Sequence, residues 1–464
     1  LANDLESRQN AHDDPEILPK VTKNDIPQSR TYACPVISSH NSNSSYFYKT
    51  GTNGIVYHSM LFPCDALNQN ELKVASLFTS TLTDIGLGED SYEDIQKYQS
   101  SITGGISASF VTLPNKEDDS YKLALKVSSK SLEKNDLLMQ DLMLKTVNES
   151  SFLEQNRIKE LLEFISADNE KSVIQNGHIL SMGNAASQIS SIAATNDLTS
   201  GLQFIHNTNN LSRLMNDENE FKLYLDTLHS IKNKLSSDPN YLFTASSLDI
   251  NDLKLNTIFK SEPINLNNQS FVATQDSSIG WITGSQVCFC AEAFPSVDSM
   301  HEDAPALTIL GTVLRNGYLH SAIREKGGAY GSGAAQDSNN KVFKFFSYRD
   351  PKCFETFEEF QKSRDWSLKE ISAEQLEEGI LGVISSIDKP LSPYGEAMSD
   401  FMSELDNKTQ DERLLFRSRV KECTLSDLVR VSEKYLFNDS KKSVIAGENF
   451  IKELTDLGFA IKNI

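Results

Sequence analysis

The alternation of strands and helices in this chain runs once to completion, meets a polar break, and runs again. In the first pass, strand-like runs stand at Ser45-Tyr46-Phe47-Tyr48 and from Gly54 to Phe62, with Gly51 and Asn53-Gly54 between them. That turn chemistry predicts a hairpin. Leu72, Ala75, Leu77, Phe78 and Leu82 then mark a helix face, and Tyr121 to Val127 alternates as a half-buried strand does. Helical patterns fill 131 to 236, and Tyr241 to Ala245 closes the pass as a strand. A polar stretch with Pro263 follows. In the second pass, Ile282 to Phe294 reads as a strand pair, Ala304 to Leu314 as a helix, and Val342 to Tyr348 as a strand. Helices fill 353 to 438, with Thr424-x-x-Asp427 as a capping box, and Lys442 to Ala446 is a last strand before a short helix.

The two passes share landmarks in order. A strand ends in Phe62-Pro63 in one and Phe294-Pro295 in the other. Thr103-Gly104-Gly105-Ile106 in one answers Lys326-Gly327-Gly328-Ala329 in the other, each leading into a strand. A period of roughly 220 residues is far beyond that of a solenoid. The expectation is therefore two tandem α+β domains of one fold, each a mostly antiparallel sheet with helices packed on one face. The expected boundaries are 1–30 for a linker, 31–256 for the first domain and 257–464 for the second.

Charge and cysteine usage exclude several classes. Asp and Glu number 64 against 44 Lys and Arg, a net charge of −20. That sign disfavours nucleic acid and anionic membranes as partners and suits cationic ones. No apolar run reaches the roughly 18 residues of a membrane-crossing helix. The six cysteines form no C-x-x-C pair, and Cys288 and Cys290 would share one strand face. Free buried thiols in a reducing compartment are the expectation. The chain begins at Leu1, without Met and without an apolar signal core. That start is expected to lie inside a longer protein.

Catalytic motifs are missing. The eight histidines stand at 12, 40, 58, 178, 206, 229, 301 and 320, and no two are four apart. Neither H-E-x-x-H nor H-x-x-E-H is present. His301-Glu302-Asp303 reads as a helix start, because three consecutive side chains cannot converge on one metal. Gly86-Leu87-Gly88 lacks the third glycine of a dinucleotide fingerprint. No catalytic residue and no metal ligand is assigned.

The densest segment is Gly317 to Ala335, where Arg324, Gly327-Gly328 and Tyr330 lie among small residues. The glycine pair permits backbone shapes that a Cβ blocks. A guanidinium and a phenol brought together could donate hydrogen bonds to a peptide carbonyl. The same residues also suit a plain helix C-terminus, with Arg324 complementing the dipole and glycine ending the helix.

Leu319-His320-x-x-Ile323-Arg324-Glu325-Lys326-Gly327-Gly328-Ala329-Tyr330-Gly331 resembles the C-terminal half of the pitrilysin/insulinase-type inverted zinc metallopeptidases, in their presequence-protease and falcilysin branch. Phe346 to Pro351, Ile387 to Pro393, Asn53 to Tyr57 and Thr103 to Ile106 fit the same branch. The resemblance implies half of a four-domain clamshell, joined to the other half by a helical hairpin whose end would be residues 1–30. It implies zinc and its general-base Glu in a missing N-terminal half, where zinc-bound water attacks the scissile carbonyl. It assigns Arg324 and Tyr330 to substrate binding and Gly327 and Gly328 to shaping the backbone. Unstructured peptides are the implied substrates, cationic ones by the charge argument. A mitochondrial or plastid-like matrix, or the cytoplasm, is the implied location. The alternative within the same superfamily is a non-catalytic scaffold or processing subunit.

Overall fold

The computed structural model describes residues 19–40, 43–115, 118, 120–253, 269 and 278–464. Residues 1–18 of the expected linker, the polar stretch around Pro263 and the expected boundary at 256/257 lie outside them. No described helix is long and apolar enough to cross a membrane.

The first sheet comprises β1 (Val36–His40), β2 (Asn43–Lys49), β3 (Ile55–Cys64), β4 (Ile106–Pro114), β5 (Tyr121–Leu132) and β6 (Tyr241–Ser246), in the order β1-β2-β6-β3-β5-β4. The second comprises β7 (Ser278–Ile282), β8 (Phe289–Pro295), β9 (Gly331–Asp337), β10 (Val342–Tyr348), β11 (Lys441–Ala446) and β12 (Ala460–Asn463), in the order β12-β7-β11-β8-β10-β9. Without the outermost strands β1 and β12, both sheets run first, last, second, fourth, third. In both, the first strand is parallel to the last, and the remaining pairs are antiparallel. Gly105 and Gly328 each carry positive φ, 97° and 89°, just ahead of β4 and β9. The repeat thus extends to single backbone angles.

The expected hairpin is corrected by this topology. Asn53 and Gly54 do turn the chain, with φ of 52° and 79°. Yet β2 and β3 are not paired, because β6 lies between them, with Phe243 opposite both Tyr46 and Ser59. In the second domain β11 separates β7 from β8 in the same way. A central strand arriving late in the chain brings Leu242 and Phe243 to full burial. Local turn chemistry carries no information about that insertion.

Each domain's own helices pack on one face of its sheet, and the other face is covered by a helix from the other domain. Helix α1 (Gln155–Ser187) belongs to the first domain and crosses β8, β10 and β11. The Ser181 hydroxyl donates to the Phe289 carbonyl at 2.9 Å, and Asn184 Oδ1 accepts from Trp281 Nε1 at 3.0 Å and Ser443 at 2.9 Å. Gly177 permits this approach, since a Cβ there would sit 2.6 Å from the Phe289 ring. Helix α2 (Ala304–Leu314) lies within the second domain, against β9. Helix α3 (Pro393–Leu405) returns the exchange by laying Ala397, Phe401 and Leu405 on Tyr48, Leu61 and Phe243 of the first sheet. The Tyr48 hydroxyl donates to Asp400 Oδ2 at 2.9 Å. The described part of the N-terminal linker also runs along the second domain. Ile26 is buried in that core, and Arg417 Nη2 donates to the Pro27 carbonyl at 2.8 Å.

The expected helix start at His301-Glu302-Asp303 is observed. Asp303 precedes α2, its carbonyl accepts from Leu307 N–H at 3.0 Å, and His301 Nδ1 accepts from the Asp303 amide at 3.0 Å. The Asp303 carboxylate is buried and takes hydrogen bonds from Arg430, Lys434 and Tyr435. Burial alone would raise its pKa, but the bonds from Lys434, Tyr435 and Arg430 override it and hold the carboxyl well below its ordinary range. A lowered carboxylate pKa stabilises the fold above the unfolded value of about 4, and that stabilisation fades as pH falls further. Asp303→Asn is therefore expected to cost about 2–3 kcal/mol at pH 7. Urea denaturation should show the gap to wild type shrinking below about pH 4. A gap that stays constant down to about pH 3 would assign the loss to packing instead.

All six cysteines are free, and all but Cys34 are buried. Cys288 and Cys290 both enter the second core, where Cys290 Sγ lies 3.9 Å from Cys353 Sγ. Burial, then Cys353, pushes the Cys290 thiol well above its ordinary range, which keeps it protonated and inert.

Candidate functional site

Helix α2 continues directly into a helix of wider winding, Arg315–Glu325, seen in the five-residue bond from Lys326 N–H to the Ser321 carbonyl at 3.0 Å. Such π-turns are uncommon and tend to occur at functional sites. Leu319 and Ile323 anchor it in the core. Its end is closed by two bonds, Gly328 N–H to the Arg324 carbonyl and Ala329 N–H to the Ile323 carbonyl, both 3.1 Å. This is a Schellman-type cap widened by one residue at each bond. It requires both glycines. A Cβ on Gly327 would lie 2.4 Å from the Ile323 carbonyl oxygen, and Gly328 sits at φ 89°. Buried Ala329 then pins the turn, so Arg324 and Tyr330 flank a fixed bend.

Both side chains point outward, and Tyr330 is 67% exposed. Arg324 Nη1 donates to His320 Nε2 at 2.9 Å rather than to a helix-end carbonyl. His320 Nδ1 in turn lies 3.6 Å from Glu325 Oε1. The Tyr330 amide donates to the Tyr348 carbonyl at 3.0 Å, and its ring meets the Tyr348 ring edge-on at 5.5 Å. Tyr348 in turn packs 4.4 Å from the His178 ring, and its hydroxyl donates to the Gln175 carbonyl at 3.4 Å. Those residues flank Asn176, where α1 departs from helical geometry. A helix of the first domain therefore buttresses the tyrosine of the second.

Arg349 completes the setting. It holds φ of 49°, a left-handed geometry costing about 1 kcal/mol for a side chain with a Cβ. The next residue imposes it. Asp350 is paired through both backbone groups with Cys288, at 2.7 and 2.9 Å, and its buried carboxylate accepts from Thr356 Oγ1 at 2.7 Å. The Arg349 guanidinium stands 5.3 Å from the Tyr348 ring centroid. One open cleft is lined by His320, Arg324, Glu325, Tyr330 and Arg349, with Gly328 and Ala329 at its floor. Against the chain's net charge of −20, this cleft carries two guanidiniums and one carboxylate. Total charge does not predict the sign here.

Arg324, Tyr330, Gly327 and Gly328, the four residues that the sequence marks, all come to one turn. His320 and Arg349 also line the cleft, and the sequence does not mark them. His320 stands four residues before Arg324, a spacing that places both on one helix face. Arg349 lies in the Phe346–Pro351 segment, but its left-handed backbone leaves no trace in residue type.

The fold is that of M16-type peptidase halves. Solved structures align over most of their length, although at identities that speak for fold alone. They include a peptidase M16 inactive domain from Pseudomonas fluorescens, 16% identical with TM-score 0.62, covering 89% of this chain and 98% of that one. A protease from Helicobacter pylori aligns at 14% identity and TM-score 0.63, covering 90% and 100%. The family model for the region associated with M16 peptidases of subfamily C matches residues 1–211, and that for the PreP C-terminal domain matches 284–448. The mitochondrial presequence proteases of Eremothecium gossypii and Saccharomyces cerevisiae are each 26% identical, over 97% and 99% of this chain. The chain spans about half the length of these curated relatives, 47% and 48%. It belongs to the presequence-protease branch of the M16 peptidases and corresponds to their C-terminal half.

Proposed function

We propose that this chain is the substrate-holding half of a zinc metalloendopeptidase that encloses and degrades unstructured peptides. The observation that carries the reading is the fixed turn that presents Arg324 and Tyr330 outward into one cleft. Arg324 has no carboxylate within ion-pair distance among the described residues, so its charge is left for a ligand. An extended peptide meeting the turn would offer carbonyl oxygens to the guanidinium and the phenol. Donors held in place before binding stabilise developing oxyanion charge most effectively. The contact with His320 orients Arg324 for this role.

Among the described residues, the acids and imidazoles around His301 and His320 are already engaged. Asp303 is committed to three donors, His301 to the Asp303 amide, and His320 to Arg324. Among the described residues no group of three or more potential ligands is arranged to hold a metal. In this reading zinc and the general base come from an N-terminal half. The naming of the relatives as mitochondrial supports a mitochondrial site of action.

Metal analysis and peptide cleavage test the assignment together. The chain alone, after dialysis, is expected to hold well under one zinc per molecule and to cleave no peptide. Combined with the N-terminal half it is expected to gain chelator-sensitive activity. About one zinc with cleavage by the chain alone overturns the reading. Full activity of the N-terminal half without this chain would favour a scaffold role.

A further inference from the structure

We propose that Arg349 forms a carboxylate-reading subsite beside the Arg324–Tyr330 turn, and so sets a substrate preference for an acidic group. The inference rests on the proposed substrate-holding role of this cleft. Four observations carry it. Arg349 is exposed and has no carboxylate within ion-pair distance among the described residues. Its contact is the face of Tyr348, 5.3 Å from the ring centroid, which steers a planar guanidinium without neutralising it. Its backbone is held in a left-handed geometry by neighbours on both sides. Tyr348 pairs with Gly331 in the sheet, and Asp350 is locked to Cys288. Finally, it shares the cleft with Arg324, and Glu325 is the one carboxylate among the residues lining it.

Two cations kept together in a strongly acidic chain raise the local attraction for an anion. Their tasks differ in the bound state. Arg324 and Tyr330 suit the neutral carbonyls of a peptide backbone. Arg349, one residue beyond the ring that supports Tyr330, then meets the next group along the peptide. A planar fork of N–H donors matches a carboxylate in two parallel bonds, which an ammonium cannot reproduce. The carboxylate is either an Asp or Glu side chain or the peptide's C-terminus.

The test uses the peptidase assembled from both halves and quenched fluorescent peptides. One set differs only by Glu or Gln at successive positions around the cleaved bond. Another differs only by a C-terminal acid or amide. Wild type is expected to favour the acidic member of one set by about fivefold in kcat/KM at low salt, mainly through KM, the upper range for an exposed ion pair. Whichever set shows the preference identifies the source. Arg349→Gln should bring that ratio to about one, with the neutral peptide within about twofold of wild type, and Arg349→Lys should restore only part. Arg349→Asn, which tolerates left-handed φ, serves as a second variant if Gln perturbs folding. Equal losses on acidic and neutral peptides, or an unchanged ratio, overturn the proposal. Arg324→Ala separates the two readings. If it leaves turnover intact while Arg349→Gln erases the preference, the clamp fails and the subsite stands.

Discussion

Arg324→Ala and Tyr330→Phe are each expected to lower kcat/KM of the assembled peptidase by roughly tenfold or more, about 1.4 kcal/mol per decade of lost transition-state stabilisation. Melting temperature should hardly change, because neither side chain is part of a core. Tyr330→Phe keeps the edge-on ring contact with Tyr348 and removes only the hydroxyl. Arg324→Ala gives up one hydrogen bond to His320 at the surface. The Schellman-type cap stays intact in both variants, since it is built from backbone groups of residues 323–329. The double variant should lose less than the sum, because both donors act on one bound segment. A helix-end role predicts the reverse pattern, lowered melting with unchanged turnover per folded molecule. Measuring both quantities on the same preparations decides between them.

Phe401→Ala should be the costliest core change at the domain junction, about 3–5 kcal/mol. Phe401 is fully buried although it belongs to the second domain and packs on the sheet of the first. Its ring lies 5.2 Å from Tyr46 and 5.3 Å from Phe243. Removing it leaves a cavity between two domains, beside the buried Tyr48–Asp400 bond. Phe164→Ala, at a position 72% exposed, is the control and should change stability by less than about 0.5 kcal/mol. Urea denaturation monitored by probes in each domain should show both destabilised by Phe401→Ala. Loss confined to the second domain would mean that the helix exchange does not couple them.

Local codes make much of this chain legible in its sequence. The period-two alternation of Tyr121–Val127, the capping box at Thr424–Asp427, and the Gly327-Gly328 bend each depend on neighbours within a few residues. The repeat is legible because the same local codes recur in the same order. Edge strands β1 and β12 are not. Both are short, carry little apolar pattern, and leave Val36, Ile37 and Ile461 exposed. They are strands only because β2 and β7 offer open edges.

Motif order by itself determined the tandem architecture, and the resemblance carried by the Leu319–Gly331 motif pointed to the family and to the residues at the turn. Tertiary structure alone decided which strand enters the middle of each sheet, which helix covers the opposite face, and which further groups face the cleft. Those outcomes depend on contacts between residues far apart in the chain. Phe243 finds Phe401 through burial, and Arg349 is turned towards the cleft because Asp350 is locked to Cys288, contacts that no local pattern encodes.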